Sequence, residues 1–175
     1  MRKFLPILTL ALASFFIYSC DNNDDEVIQT VDNDTYSGVF EISRSFQYNS
    51  SSDQHFINQS ISQYGMLDSD VALVYRLKGL SGSNKIWEQI PKTIYLNNGE
   101  ELDYDFDFTK NDIQIYLSGT YNVTTTPEFY NNQTFRIVLV PAGFLKSSNP
   151  SVDYSDYNAV VKYYNIDDSK VTTIK

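Results

Sequence analysis

The chain has few of the residues that form cross-links or nucleophilic sites. Its 175 residues contain one cysteine and one histidine. A single cysteine excludes an internal disulfide or a multi-cysteine metal site, and a single histidine excludes a His-rich zinc site. A hydrolase triad needs a base oriented by a carboxylate beside a seated nucleophile. His55 instead lies in a polar, Ser-rich stretch, so we expect an exposed loop or edge-strand histidine and no enzyme activity.

Positive charge is also scarce. Thirteen Lys and Arg residues face twenty-two Asp and Glu residues, and the formal net charge is −9. An acidic surface repels nucleic acid and gains nothing from anionic lipid, so we expect neither as a partner. Aromatic residues, in contrast, are plentiful, with fourteen Tyr and eleven Phe. This composition favours extended strands with large side-chain faces.

The first nineteen residues have the pattern of a lipoprotein signal peptide. The apolar run at residues 4–17 follows two basic residues and is too short to span a bilayer. Ile17 stands three positions before Cys20 and Ser19 directly before it, which is the pattern that a lipoprotein signal peptidase accepts. We predict that residues 1–19 are removed and that Cys20 carries the acyl chains. The alternative is an ordinary signal peptide whose apolar region ends in a cysteine.

The mature chain is predicted to be one domain on a tether. Residues 20–35 are polar and acidic with almost nothing to bury, which predicts a flexible tether. Such a coil has an r.m.s. reach of roughly 20 Å. Residues 36–175 are long enough for a single domain with its own core. With the signal peptide removed, the side-chain charge is about −11.

Period-two hydrophobicity from residue 36 onward predicts strands. The polar-rich strands at residues 39–46 and 56–62 are expected at sheet edges. Residues 71–77 and 135–140 are apolar on both faces and are expected to be central. Residues 113–117 alternate as a strand with one buried face. Strands this dense predict an antiparallel β-sandwich, Ig-like or similar, with six to eight strands.

The Asn-Asn-Gly sequence at residues 97–99 predicts a hairpin turn that allows two registers. A two-residue loop would pair Ile94 with Asp103, whereas a three-residue loop pairs Ile94 with Leu102. Only the second register collects the apolar side chains of both strands on one face. We therefore predict a three-residue loop with Gly99 at positive φ, in a type I turn with a bulge.

The C-terminal stretch changes to a helical period. Apolar residues from Tyr157 to Tyr164 recur three to four positions apart, so we predict one short helix here. Asp153 or Ser155 is the expected N-cap, and Asn165 the expected left-handed stop. Residues 171–174 can add a last strand.

Three aspartates alternate along one predicted strand. Asp103, Asp105 and Asp107 share a strand face and point the same way. We interpret them as a solvated face whose charge prevents edge pairing. The alternative is a weak Ca²⁺ site completed by a neighbouring loop. No other cofactor is predicted.

Two regions could form a ligand surface. Trp87 could stack on a sugar ring, although a core or rim position is the commoner place for a lone tryptophan. The loop at residues 120–132 precedes a central strand and contains Tyr121, Phe129 and Tyr130. Long loops with aromatic residues are where binding surfaces usually lie.

Four segments carry a resemblance to a protein family. They are DVALVYRL at residue 70, the run from WEQIPKTIYL to YLSGTYN at residues 87–122, NQTFRIVLVPAGF at residue 132 and DYNAVVKYY at residue 156. In this order they resemble uncharacterised small surface lipoproteins of Bacteroidota, of flavobacterial type. Some of those relatives have a collagen-like run after the lipid-bearing cysteine, where this chain has its acidic tether. The resemblance supplies no catalytic residue.

The resemblance also implies an address. Lipoproteins of this phylum have acidic residues after the acylated cysteine that act as a surface-export signal, and Asp21, Asp24, Asp25 and Glu26 are similar to it. We therefore expect an outer-membrane protein, lipid-anchored and surface-exposed, with a binding or structural role and no catalysis. Its partners would be the membrane, through the anchor, and a surface protein or glycan. A glycan-handling or hydrolytic accessory protein and a Ca²⁺-stabilised surface module are the alternatives.

Overall fold

Two five-stranded sheets pack face to face in the computed structural model, which describes residues 38–142, 152–169 and 171–174. The predicted signal peptide, Cys20, the four acidic export residues and the tether all lie outside these residues.

Sheet A contains the first strand of the described chain and the last. Its members are β1 (Gly38–Arg44), β4 (Val71–Ser81), β5 (Asn84–Ile90), β9 (Gln133–Val140) and β10 (Thr172–Ile174). Their order across the sheet is β10-β1-β9-β4-β5. Every pair is antiparallel except β1 with β10, which is parallel.

Sheet B is wholly antiparallel. Its members are β2 (Gln47–Asn49), β3 (Gln54–Ser60), β6 (Lys92–Tyr95), β7 (Glu101–Phe108) and β8 (Asp112–Gly119). Their order is β2-β3-β8-β7-β6. Two helices complete the described elements, α1 (Pro127–Tyr130) and α2 (Tyr157–Tyr163), with 3₁₀ turns at Ser62–Tyr64 and Val123–Thr125. The predicted mainly-β antiparallel sandwich with a short C-terminal helix is confirmed.

The inner faces of the two sheets form the main core. Alternate residues of each strand point inward because successive side chains of a strand leave opposite faces. Sheet A contributes Phe40, Ile42, Val74, Phe135 and Ile137, and sheet B contributes Ile57, Leu102, Ile113, Ile115 and Leu117, all buried. The predicted alternation of residues 113–117 is therefore confirmed.

The predicted hairpin register is confirmed. Ile94 pairs with Leu102, and Thr93 pairs with Asp103. The Leu96 amide donates to the Glu100 carbonyl at 2.9 Å, which closes the three-residue loop. Gly99 has φ = 84°, the left-handed conformation that glycine adopts without steric cost.

The predicted central strands are confirmed, but the predicted edge strands are wrong. β4 and β9 lie inside sheet A, as expected. β1 and β3 also lie inside their sheets, each covered by a three-residue outer strand, β10 or β2. Glu41 of β1, one of the polar residues that suggested an edge, is only 4% exposed and is paired with the buried Arg136. The prediction of six to eight strands was also low, because ten are present in the described residues.

Helix α2 packs against the outer face of sheet A. Its Tyr157 and Val160 are buried against Tyr75 and Val138, as the helical spacing predicted. The N-cap is Asp156, whose carboxylate accepts from the Asn158 and Ala159 amides, and neither Asp153 nor Ser155 has this role. Asp153 instead accepts hydrogen bonds from the backbone amide and the hydroxyl of Ser155. The two candidates therefore bond to each other before the helix begins. The predicted left-handed stop at Asn165 is confirmed, with φ = 50°.

A buried ionic network lies beside this helix. Glu41 and Arg136 are register partners on β1 and β9, and Arg136 Nε donates to Glu41 at 3.1 Å. Lys85 Nζ donates to the same carboxylate at 2.8 Å. Burial alone would raise the pKa of Glu41, but the hydrogen bonds from Lys85 and Arg136 outweigh it and hold the pKa below its usual range. Arg136 also reaches Asp168, which accepts from the Tyr157 hydroxyl at 2.9 Å, so the network connects the C-terminal segment to the sheet.

We expect Arg136→Met to destabilise the domain by about 3–5 kcal/mol, because it leaves a buried carboxylate short of one cation. Adding Glu41→Gln to that variant should restore part of the loss, since the uncompensated charge is then gone. Urea unfolding at neutral pH measures both. Lys110→Met is the control, because it breaks an exposed ion pair with Asp68 and should cost at most about 1 kcal/mol. Strictly additive losses in the double variant would contradict the coupling.

We expect Gly119→Ala to destabilise the domain by about 1–3 kcal/mol. A Cβ at this position would lie 2.8 Å from the Glu101 carbonyl oxygen and 3.0 Å from Val123, so backbone must move. Gly79→Ala is the matched control, because its Cβ meets nothing within 4 Å. Thermal and urea unfolding of both variants check this, and equal midpoints would contradict the predicted backbone clash.

Candidate functional site

A polar groove opens on sheet B at the ends of β3 and β8. It has a volume of about 610 Å³ and is open to solvent on one side. The lining includes Asp53, His55, Asp105, Asp107, Tyr116 and Tyr121. We call it the β8 groove. It joins two features that the sequence suggested separately, the aspartate strand and the aromatic loop at residues 120–132.

The floor of the β8 groove is the outer face of sheet B. Asp105 pairs with Tyr116, and Asp107 pairs with Gln114, across the β7–β8 ladder. These side chains share one face because partners opposite each other project the same way. The neighbouring residues Tyr104 and Leu117 point to the core. The alternation that buries one face therefore presents the carboxylates on the other.

Tyr116 is the central aromatic group of the floor. Its hydroxyl donates to Asp107 Oδ2 at 2.8 Å. Burial raises the pKa of Tyr116 to about 12, and the hydrogen bond and negative charge of Asp107 add to the shift. The hydroxyl also lies 2.9 Å from Gln114 Oε1, so its one hydrogen has two acceptors, a carboxylate and an amide oxygen.

The wall of the groove is the turn after β8. Asn122 caps the 3₁₀ turn Val123–Thr125 by accepting from the Thr124 amide at 3.2 Å. The Tyr121 hydroxyl lies 2.7 Å from the hydroxyl of Thr126, which fixes the ring at the rim. Close packing of Gly119 against the Glu101 carbonyl brings this turn up to the sheet. Hydrogen bonds within the turn and the packing of Gly119 against Glu101 thus fix the position of the wall.

His55 borders the groove, but its ring belongs to the opposite face. His55 pairs with Leu117, a core residue, whereas the groove floor belongs to Tyr116. The His55 ring lies between two tyrosines, with Nδ1 3.3 Å from the Tyr130 hydroxyl and its centroid 5.0 Å from that of Tyr48. The expectation of an exposed loop or edge-strand histidine is wrong, since His55 is half-buried and lies on β3, an inner strand of its sheet.

The loop at residues 120–132 is held by a second buried polar network. Gln133 Nε2 donates to the Glu128 and Asn131 carbonyls at 2.9 and 2.8 Å. Its Oε1 accepts from Arg76 Nε at 3.2 Å. The Tyr104 hydroxyl donates to the Phe129 carbonyl at 2.6 Å. Two nearly fully buried side chains, Gln133 and Tyr104, thus donate to three carbonyls of the loop, and Arg76 holds the Gln133 amide in place.

The structure places the four aromatic residues of the two predicted ligand regions at different positions. Trp87 lies on the outer face of sheet A, half-buried, with Arg136 4.4 Å from its ring. Phe129 packs beside Arg76, and Tyr130 packs on Phe46. Only Tyr121 lines the β8 groove. Trp87 and the loop aromatics therefore lie apart, because β5 and β8 belong to different sheets.

The three aspartates do not act as one group. Asp103 accepts from the Thr93 hydroxyl at 2.6 Å, and Asp107 accepts from Tyr116. Asp105 is exposed. In the described ranges, no three His, Cys, Asp or Glu side chains are grouped as a metal site would need. This finding lends no support to the Ca²⁺ alternative.

Two functional-site residues were missed from the sequence. Tyr116 was assigned to the wet face of its strand without a role, and Gln133 received none. The signal for Tyr116 was the aspartate strand next along the hairpin, whose register places a partner opposite each carboxylate. For Gln133 there was no local signal, because its partners are backbone carbonyls of a loop that has no periodic pattern.

Comparisons with protein-family models, curated proteins and solved structures found no match for the chain. Of the helices in the described residues, none has the length and apolar character needed to cross a membrane. The site must therefore be interpreted from its own chemistry.

We expect the stability of the domain to fall as pH rises above about 10, the ordinary tyrosine pKa. Burial raises the pKa of Tyr104 to about 12, as it does for Tyr116, and the pKa values of Tyr75 and Tyr157 are also raised. A group whose pKa is higher in the folded state than in the unfolded state contributes its full stability at pH values below the unfolded-state pKa. That contribution is lost as the pH rises through the folded-state pKa. Urea unfolding between about pH 9 and 12 measures the loss.

Tyr116→Phe is the matched variant for this titration, because it removes one shifted phenol and keeps the ring. The dependence of stability on pH should be shallower in the variant between about pH 10 and 12. Identical pH dependence in both proteins would contradict the raised pKa of Tyr116.

Proposed function

We propose that the protein is a lipid-anchored binding module of the outer membrane, related to the small Bacteroidota surface lipoproteins that its sequence resembles, and that it presents the β8 groove to the surroundings. The support for the anchor is the signal pattern that ends at Cys20 and the acidic residues after it. The support for a binding role is a groove of about 610 Å³, within the range of ligand sites.

The observation that carries the proposal is the position of the groove relative to Gly38, the first residue that the structure describes. The chain enters sheet A at Gly38, which pairs with Leu139, whereas Arg44 at the other end of β1 pairs with Gln133. Gln133 contacts Arg76 and the Tyr104 hydroxyl, and Tyr104 pairs with Leu117. The groove end of β8 therefore meets sheet A at its Arg44 end, about 20 Å along β1 from Gly38 at 3.3 Å per residue.

A tether joined at Gly38 favours an orientation with that end of the sandwich toward the membrane. The groove, the loop at residues 120–132 and the tip of the β4–β5 hairpin then face outward. The position of His55 between Tyr48 and Tyr130 supports a non-catalytic module, because the one histidine ring contacts phenols and aromatic faces. Binding at an outward end is the function that these contacts favour.

We expect brief protease treatment of intact cells to release the domain, and Cys20→Ser to abolish metabolic labelling with a fatty acid. Immunoblotting of the medium and the cell fraction checks the first, and acyl labelling the second. A soluble periplasmic protein of the same cells serves as the control for intact membranes. Release that occurs only after the cells are broken would contradict surface exposure, and unchanged labelling of Cys20→Ser would contradict the anchor.

A further inference from the structure

The lining of the β8 groove carries charge of one sign. Two carboxylates, Asp105 and Asp107, lie on its floor, and Asp53 lies at its edge. No lysine or arginine of the described chain contributes to the lining. The two tyrosine rings, Tyr116 and Tyr121, add half-buried aromatic surface next to these carboxylates. This chemistry disfavours an anionic ligand and favours a cation.

The fold itself shows how this chain accommodates cations. The Arg76 guanidinium lies 2.9 Å from the Glu88 carboxylate and 4.7 Å from the centre of the Tyr104 ring. Arg136 has the same environment, with Glu41 as its carboxylate and the Trp87 and Tyr157 rings at 4.4 and 4.7 Å. Each buried guanidinium in the described residues therefore has a carboxylate partner and two aromatic neighbours.

The β8 groove has two of the three components of that arrangement, the carboxylates and the aromatic rings. It offers carboxylates beside tyrosine rings on a rigid floor, but none of the described residues supplies a cation there. The floor is pre-organised by the β7–β8 ladder, in which Asp105 pairs with Tyr116 and Asp107 pairs with Gln114. Pre-organised acceptors bind a guanidinium with less ordering cost than acceptors on a loop.

We propose that the β8 groove binds an arginine or lysine side chain of a basic peptide segment presented by a partner protein. The carboxylates of Asp105 and Asp107 accept hydrogen bonds from the cationic head, and the Tyr116 and Tyr121 rings contact its aliphatic stem and charged plane. The proposal deepens the role proposed above for the same groove. Its binding test on purified protein is independent of where the protein lies in the cell.

The probe is a fluorescent hexapeptide with two arginines, and its control replaces both by citrulline, which has nearly the same shape without the charge. The full chain in non-ionic detergent is titrated with each, and binding is followed by anisotropy. We expect the citrulline peptide to bind about tenfold more weakly, and the arginine peptide to lose affinity as salt is raised.

Matched variants localise the binding. Asp105→Asn with Asp107→Asn should weaken the arginine peptide about five- to tenfold, as two exposed charge pairs would. Asp68→Asn with Asp167→Asn changes the net charge equally, at exposed positions outside the groove, and should weaken it less than about twofold. Tyr116→Leu should weaken binding and Tyr116→Phe should not, because only the first removes the ring. Unchanged melting midpoints show that the variants are folded.

Three results would overturn the proposal. The first is equal affinity for the arginine and citrulline peptides. The second is an equal loss in the groove pair and the matched pair, which would mean attraction to net charge alone. The third is that the arginine peptide does not bind, whereas maltoheptaose or Ca²⁺ does bind in the groove. Failure of protease shaving with intact peptide binding would reject the surface location and leave this inference standing.

Discussion

The packing of two inner faces against each other is the interaction on which the described structure depends. One cysteine in the chain leaves apolar burial as the main stabilising contribution, and the inner faces are fully buried at residues such as Phe40, Phe135 and Ile115. The alternation of side chains along each strand then determines which residues face outward. The carboxylates of Asp105 and Asp107 are exposed because Leu102, Tyr104 and Phe106 of the same strand pack inward.

Charged groups inside the sandwich have a second role, which is to attach the irregular segments. Arg76 and Arg136 lie on neighbouring strands and leave opposite faces of sheet A. Arg76 faces the inner side and holds the loop before β9 through Gln133. Arg136 faces the outer side and holds the C-terminal segment through Asp168. The loss of hydration at each guanidinium is offset by a carboxylate and by aromatic faces, so both are satisfied although nearly buried.

The local parts of the fold could be predicted from the sequence because short-range physics decides them. The register around Gly99 follows from hydrophobic pattern and turn chemistry, and the left-handed stop at Asn165 follows from helix-end geometry. Non-local polar pairs could not be predicted in the same way. Glu41 suggested an edge strand, because nothing near it in the sequence indicates its partner. That partner is Arg136, which is 95 residues away in the chain.

The same distinction between local and non-local contacts applies to the candidate site. The aspartate strand and Tyr121 could be identified from composition and spacing, and the structure places both in one groove. The separation of Trp87 from the loop could not be foreseen, because it depends on which strand changes sheet after Pro91. Pairing of strands distant in the sequence decided the strands that were misplaced, whereas the N-cap at Asp156 was a local error.

The neighbours of β1 bear on the order in which the molecule assembles. Both strands that flank it, β9 and β10, come from residues 133–174, so the first strand of the described chain is completed by nearly the last. A polypeptide that emerges N-terminus first carries Phe40 and Ile42 without their ladder partners until most of its length has appeared. Sheet A consequently closes as a late, whole-chain event, and a truncation that removes β9 and β10 leaves β1 with no strand beside it.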